Sequence, residues 1–420
     1  MSGGQGSGMQ RHALVVSWGF APVDSPASLR ALSWANRLFE SGMAVTALSV
    51  DSKGKAAAFG QNDALLRRLI DQVRTQTVLD QHPDRFQLID RWPRERAEDP
   101  AKWRSDWVDR AEADFDEPGF GHVLASLVEA AAQIHQQNRV ELVVAIAPAM
   151  VMIEVGAQLA KSFDAELLLD FAYCNDADFL IETDRLRSAV ETSAEVWVPD
   201  QETAARVESA FGAGVRRPKA VGYEDFGPGD SRRAATPKLG EPLNVGCVVE
   251  AGAWGSFTET IEGWLLAREQ VTELAGATLT VHGILPPKNK VPQRVLSQLD
   301  GTGVTFAGPL SALDLASQTH DFDLLMVISR PEMPPVRAAN YLATGLRIVW
   351  CTQQKPPKNH PLAESSAVSA TNNLTAGAFV RTFESALATQ TLSGPASVSG
   401  SNWLEEIAET LASTRGGLTK

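Results

Sequence analysis

One stretch of this chain combines residue types and spacings suited to holding a charged, hydroxylated ligand: SRPEMPPVRAANYLATGLRIVWC, residues 329–351. A proline-bearing loop carries Arg330 and Glu332 and leads into a helix-like run that begins at Val336. Pro334 and Pro335 preset the backbone for a helix start, where a missing N–H costs little. The free amides of a first helical turn attract anions. Arg330 and Arg337 add charge-assisted donors to the same place. Asn340, eight residues after Glu332 and one turn into the run, is placed to reach a hydroxyl of the same ligand. Glu332 can accept hydrogen bonds from a second hydroxylated group. The combination suits a nucleoside diphosphate bearing a sugar. The plainer reading is a solvated loop before an ordinary core helix.

A second cluster lies in and after the apolar run AELLLDFAY: Asp170, Tyr173, Asn175, Asp176 and Asp178. Asp176 or Asp178 offers a general base, and Tyr173 and Asp178 offer acceptor contacts; helix capping and turn chemistry are the alternatives. Near the start, the loop Trp18–Ser28 holds Gly19, Asp24 and Ser25. Gly19 lets the backbone approach a ligand closely, while Asp24, Ser25 and Arg30 supply polar groups. Gly252, Gly283 and Lys288 stand in further loops that come after apolar strands. His282, just before Gly283, reads as a strand-end packing residue.

Elements must position these groups, and their pattern is regular. ALVVS, a small-residue loop, LRALSWANRLFESG and MAVTALSVD form a strand, loop, helix and strand, with Gly42 at the helix C-cap. VELVVAIAP, AMVMIEVGAQLAKSF, AELLLDFAY, DRLRSAVETS, AEVWVPD and QETAARVESAFG continue the alternation to Gly212. Residues 213–243 are rich in Gly, Pro and basic side chains, a linker composition. The alternation then restarts with LNVGCVVEAG and runs through ATLTVHGI, GVTFAGPL and FDLLMVIS to residues 329–351. The reading is α/β: two Rossmann-like, doubly wound domains facing a cleft, with ligands outside the carboxyl ends of the strands. The expected boundaries are a disordered stretch at 1–12 and a first domain at 13–215. That domain carries a tryptophan-rich surface insertion at about 81–121. The second domain spans 216–400, and a helix and tail at 401–420 cross back to the first.

Composition narrows the function. The 420 residues, 44% hydrophobic and 21% charged, suit two domains. A net charge of -13 argues against nucleic acid as a partner. Three cysteines, Cys174, Cys247 and Cys351, form no CxxC, and a reducing, cytoplasmic compartment fits. No apolar run is long enough to span a membrane, so membrane association is at most peripheral. No metal-ligand spacing stands out, and no cofactor is expected; a nucleotide-sugar would enter as substrate.

The chain resembles the GT-B-fold glycosyltransferases, in particular the large retaining group of glycogen-synthase-like and sucrose-synthase-like enzymes. The opening SWGFAPVDSPASLRALSWANRLFESGMAVTALSVD is similar to that family's first loop, helix and G-x-x-V-T-x-L strand. VGYEDFGPGD resembles its interdomain turn. VTFAGPLSALDLASQTHDFDLLMVISRPE resembles its V-x-F-x-G strand with the helix and strand after it, and RAANYLATGLRIV its E-A-x-A-x-G-x-P-V helix. The resemblance covers some 330 residues. It implies sugar transfer from a nucleotide-sugar to a glycan, lipid-linked or small-molecule acceptor, retaining and metal-independent. In it, Glu332 would contact the donor sugar. Asn340 would hold the ribose in place of the family's second glutamate, with a loss of about 1–2 kcal/mol. The family also carries an arginine and a lysine after the first strand of the second domain. Here VVEAGAWGSFTETIEGW holds no basic residue. Arg330, Arg337, Lys288 and Lys290 would have to serve instead. That departure and Asn340 motivate a binding or scaffold protein that has lost catalysis as one alternative. A sugar-nucleotide epimerase, which shares the two-domain architecture, is another.

Overall fold

A computed structural model of the chain describes residues 10–23, 26–51, 66–67, 69–79, 121–147, 150–171, 186–198, 201–212, 219–220, 242–250, 253–283, 285, 290–310, 321–329, 338–352, 356, 360–371 and 373–388. They build two sheets in which every pairing is parallel.

The first sheet holds β1 (His12–Ser17), β2 (Ala44–Asp51), β3 (Arg74–Leu79), β4 (Val140–Ile146), β5 (Glu166–Asp170), β6 (Glu195–Val198) and β7 (Lys219–Ala220). Their spatial order is β3-β2-β1-β4-β5-β6-β7. Helices α1 (Pro26–Glu40), α2 (Gly121–Gln137), α3 (Met150–Phe163), α4 (186–192) and α5 (Gln201–Phe211) accompany it. The central strands read as unbroken apolar runs because both faces are covered. On β4, Leu142, Val144 and Ile146 join the cluster that includes α1, while Val143 and Ala145 join the cluster on the other face with α3. Edge strand β3 and helix α2 are elements that the sequence reading does not anticipate. Lys219–Ala220, within the segment read as linker, pairs with Trp197–Val198.

The second sheet repeats the plan with β8 (Asn244–Val249), β9 (Thr278–His282), β10 (Val304–Gly308), β11 (Leu324–Ile328), β12 (Arg347–Cys351) and β13 (Val368–Thr371). The order is β10-β9-β8-β11-β12-β13. Its helices are α6 (Phe257–Gln270), α7 (Lys290–Gln298), α8 (Ala338–Ala343), α9 (Pro361–Glu364) and α10 (Ala376–Ala388). Helix α8 is described over six residues, within the run expected from Val336, and Gly345 comes after it at φ +69°. α6 and α10 approach closely because Gly263 has no side chain; a Cβ there would lie 2.2 Å from the Phe379 ring. Cys247 and Cys351 are free and fully buried, and burial pushes both thiols well above their ordinary range. The tryptophan-rich segment up to residue 120 and the expected helices at 311–319 and 401–414 lie outside the described residues.

Two polar arrangements lock the first sheet. Arg30, in the first turns of α1, and Asp170, the last residue of β5, are both fully buried. Arg30 Nε donates to Asp170 Oδ2 at 2.7 Å, and Trp34 Nε1 donates to the same oxygen at 2.5 Å. His12 sits between Asn138 and Thr46: Nδ1 donates to the Asn138 carbonyl at 3.0 Å, which leaves Nε2 to accept from the Thr46 hydroxyl at 2.9 Å. That is a neutral imidazole. Burial lowers its pKa below 6.5, Arg74 and His135 push the same way, and the Asn138 carbonyl and Glu141 oppose them.

Asp170→Ala strands a buried guanidinium and should cost about 3–5 kcal/mol in urea unfolding, whereas the double change Arg30→Met with Asp170→Leu should cost much less. For His12 the folded state binds its proton less readily than the unfolded chain. Its contribution is therefore complete above pH 6.5 and is lost as pH falls through that value toward the lower folded pKa. Urea midpoints at about pH 7.5 and about pH 5.5 should show a smaller decline for His12→Gln than for the parent chain.

Candidate functional site at the carboxyl edge of the second sheet

In a doubly wound sheet the natural crevice opens where strand order reverses. Here that is between β1 and β4 in the first sheet and between β8 and β11 in the second. The residues just beyond β8 and β11 are Glu250 and Ser329, and both ladders continue through them. Glu250 N donates to Ile328 O at 3.0 Å, and Ser329 N donates to Cys351 O at 3.1 Å. Gly283 N, beyond β9, donates to Gly308 O at 3.0 Å. The edge is therefore held by main-chain bonds, and its side chains project from a fixed base.

Several polar side chains share one face of this edge. Strand alternation decides which face: Val248, Val327, Ile348 and Trp350 share a cluster with Ala338, Tyr341 and Leu342 of α8. Glu250 and Ser329 stand two residues after Val248 and Val327, on the same side. The contacts agree. Tyr341, fully buried, donates its hydroxyl to Glu250 Oε1 at 2.5 Å, and Trp350 Nε1 donates to Ser329 Oγ at 2.8 Å. His282 joins them at the end of β9. Leu279 and Val281 of that strand belong to the cluster on the other face. The His282 ring lies edge-on to Phe322 with centroids 5.8 Å apart. Burial pulls the His282 pKa below the usual value, offset only in part by the Gly308 main chain, so the ring is neutral. It is 4% exposed, and neither nitrogen makes a hydrogen bond of ordinary geometry among the described residues. An unmet buried polar group of this kind costs about 1–3 kcal/mol.

Of the residues singled out from sequence, Gly19 is buried in the loop after β1, and the backbone of Asn340 lies within α8. Gly283 is also buried. A Cβ there would meet Trp254 Cζ2 at 2.9 Å and Val249 Cβ and O at 3.2 Å, so close packing accounts for the glycine. Arg30 and Asp170 are committed to each other in the interior. Arg330, Glu332, Val336, Arg337, Gly252, Lys288, Asp24, Ser25, Tyr173, Asp176 and Asp178 lie outside the described residues. The structure thus brings together a set that sequence reasoning does not single out as a site; His282 alone of the set is named there, as a packing residue. Glu250 carries a signal, being the first residue after the first strand of the second half. Tyr341 carries another, as one of only three tyrosines in the chain.

The described side chains of this edge are a carboxylate, a neutral imidazole and hydroxyls. They suit an uncharged, hydroxyl- or amide-bearing group better than a phosphate. Among the described residues, no group of three or more His, Cys, Asp and Glu side chains is placed to hold a metal ion. No described helix is long and apolar enough to cross a membrane.

No protein-family model and no curated protein sequence matches the chain. Solved structures do match over nearly the whole length. Sucrose-phosphate synthase from Thermosynechococcus elongatus is similar at 14% identity, with 97% of this chain and 98% of that one covered and a TM-score of 0.58. The lipopolysaccharide outer core galactosyltransferase WaaB in its apo form is similar at 8% identity, with 96% and 100% covered and a TM-score of 0.57. The UDP-GlcNAc 2-epimerase of Methanocaldococcus jannaschii, in complex with UDP-GlcNAc and UDP, is similar at 9% identity, with 96% and 99% covered and a TM-score of 0.55. The two parallel sheets, each wound outward from a central pair, give this chain the fold that these proteins share, GT-B with its two Rossmann-like domains.

Proposed function

We propose that the chain is a nucleotide-sugar-dependent glycosyltransferase with its donor site at the carboxyl edge of the second sheet. The observation that carries the reading is the polar face built from Glu250, Tyr341, Ser329 and His282 at the β8/β11 reversal, in a chain whose fold matches nucleotide-sugar enzymes from end to end. The donor's sugar and ribose hydroxyls would be taken by Glu332 and Asn340. Arg330 and Arg337, with Lys288 and the main chain at Val336 and Gly252, would balance the diphosphate as it leaves. The acceptor would sit on the first domain between Gly19, Asp24, Ser25, Tyr173 and Asp178, with Asp176 taking its proton. In transfer, the bond from the sugar's anomeric carbon to the diphosphate oxygen breaks and a bond to the acceptor oxygen forms. The proteins of this resemblance do so with retention and without a metal, and we extend both to this chain. Positioning and electrostatic stabilisation of the departing diphosphate would supply most of the rate.

A second reading is an epimerase, favoured by the likeness to the UDP-GlcNAc 2-epimerase. The two differ in what they need: an epimerase converts the nucleotide-sugar with no acceptor present. A binding protein without catalysis is the third reading. It is motivated by a carboxylate at Glu250 and the lack of cations after it, where the transferases carry them.

Isothermal titration of the full chain against a panel of nucleotides and nucleotide-sugars should show at least one saturable partner; no binding across the panel overturns the reading. With that donor and an acceptor in hand, Glu332→Ala should lower turnover about a hundredfold while folding is retained. Tyr341→Phe removes the hydroxyl that holds Glu250. It should weaken donor binding by about three- to tenfold and cost about 1 kcal/mol of stability, read by the same titration and by urea unfolding.

A further inference from the structure

We infer that His282 is a ligand contact that sets specificity: its uncharged imidazole hydrogen-bonds an uncharged hydroxyl or amide edge of the molecule held at the β8/β11 reversal. This role rests on the functional reading above and adds to it a residue that the resemblance does not supply.

Three observations carry it. The ring is 4% exposed; one ring nitrogen faces the Gly308 main chain, outside ordinary hydrogen-bond geometry, and the other has no partner among the described residues. Buried polar atoms of folded proteins are nearly always satisfied, so the ring nitrogen left without a partner points to one that comes and goes. The ring also lies where a ligand belongs. His282 pairs in register with Val248, two residues before Glu250 on the neighbouring strand. Strand geometry puts the backbones of His282 and Glu250 about 8 Å apart, the span of a single ring with its substituents. Finally, the surroundings select the chemistry. Phe322 stands edge-on to the imidazole, and Val248 and Leu310 belong to the same apolar cluster as Phe322. Such surroundings disfavour an imidazolium and with it an ion pair to phosphate. A neutral imidazole offers one donor and one acceptor, a match for a hydroxyl or for the N–H and C=O edge of a nucleobase.

The test uses the full chain and titrates UDP-glucose, UDP and ADP-glucose against the parent and against His282→Phe, which keeps the ring's shape without hydrogen bonding. Affinity should fall about tenfold in His282→Phe. It should recover in either His282→Asn or His282→Gln, whose amide nitrogens stand in for Nδ1 and Nε2 respectively. Equal loss for UDP and UDP-glucose assigns the contact to the nucleoside. A loss confined to the nucleotide-sugars assigns it to the sugar. Unchanged affinity in His282→Phe, with the parent binding normally, means that the nitrogens are met by water alone and overturns the inference. Where the parent binds none of these three, the donor found in the wider nucleotide panel replaces them, and absence of binding across that panel overturns the functional reading instead. If His282→Phe fails to fold, ring-nitrogen spectra of 15N-histidine-labelled parent decide. The resonances missing in His282→Asn should move on ligand addition, and their failure to move overturns the inference.

Discussion

The fold depends on one constraint: every described strand pairing is parallel. Parallel strands end together, so each sheet gathers all its carboxyl termini along a single edge, and the amides there are fixed by the ladder rather than by loops. At the second sheet this ladder runs one residue past β8 and β11, through Glu250 and Ser329. Side chains at those positions inherit the rigidity of the sheet. A hydroxyl from α8 and an indole from β12 then fix their orientation. This face is rigid because two independent layers, main chain below and helix above, hold it.

That face has a charge character of its own. A carboxylate stands immediately after β8, so in the proposed donor site the diphosphate would need its counter-charges elsewhere, from Arg330, Arg337 and Lys288. In the proposed site, keeping the contacts to the anion apart from those to hydroxyls is chemically reasonable. Glu250 near a phosphate would repel it, whereas Glu250 near a sugar or ribose accepts hydroxyl protons at full strength. The buried tyrosine donates to one carboxylate oxygen and limits the group's rotation.

Much of the architecture is legible in the residue pattern, and the physical reason is burial. β4 and β11, VELVVAI and LLMVI, are covered on both faces and read as unbroken apolar runs. β3 and β13, RTQTVL and VSAT, lie at the edges of their sheets, where polar side chains are tolerated, and the pattern fades there. The glycine that closes α1 is legible because Gly42 must adopt φ +91° at that turn. The site is less legible. Glu250 and Tyr341 are 91 residues apart in sequence, and no periodicity links them. His282 reads as an ordinary packing residue because the unmet state of its nitrogens is a property of its neighbours, not of its own sequence context. Arg30 and Asp170 look like ligand groups for the same reason: only the three-dimensional contact shows that each neutralises the other.

Interior and surface ion pairs of the first domain differ in one further respect. Arg11 spans Glu141 and Glu166 at 3.1 and 3.4 Å with side chains 23–35% exposed, within reach of mobile ions. Arg30 and Asp170, at 0% exposure, are shielded from them. Added electrolyte therefore loosens the outer clasp at the amino end of the sheet and leaves the inner one at the carboxyl end intact. The carboxyl end of this sheet thus keeps its ion pair at ionic strengths that weaken the pairs at the amino end.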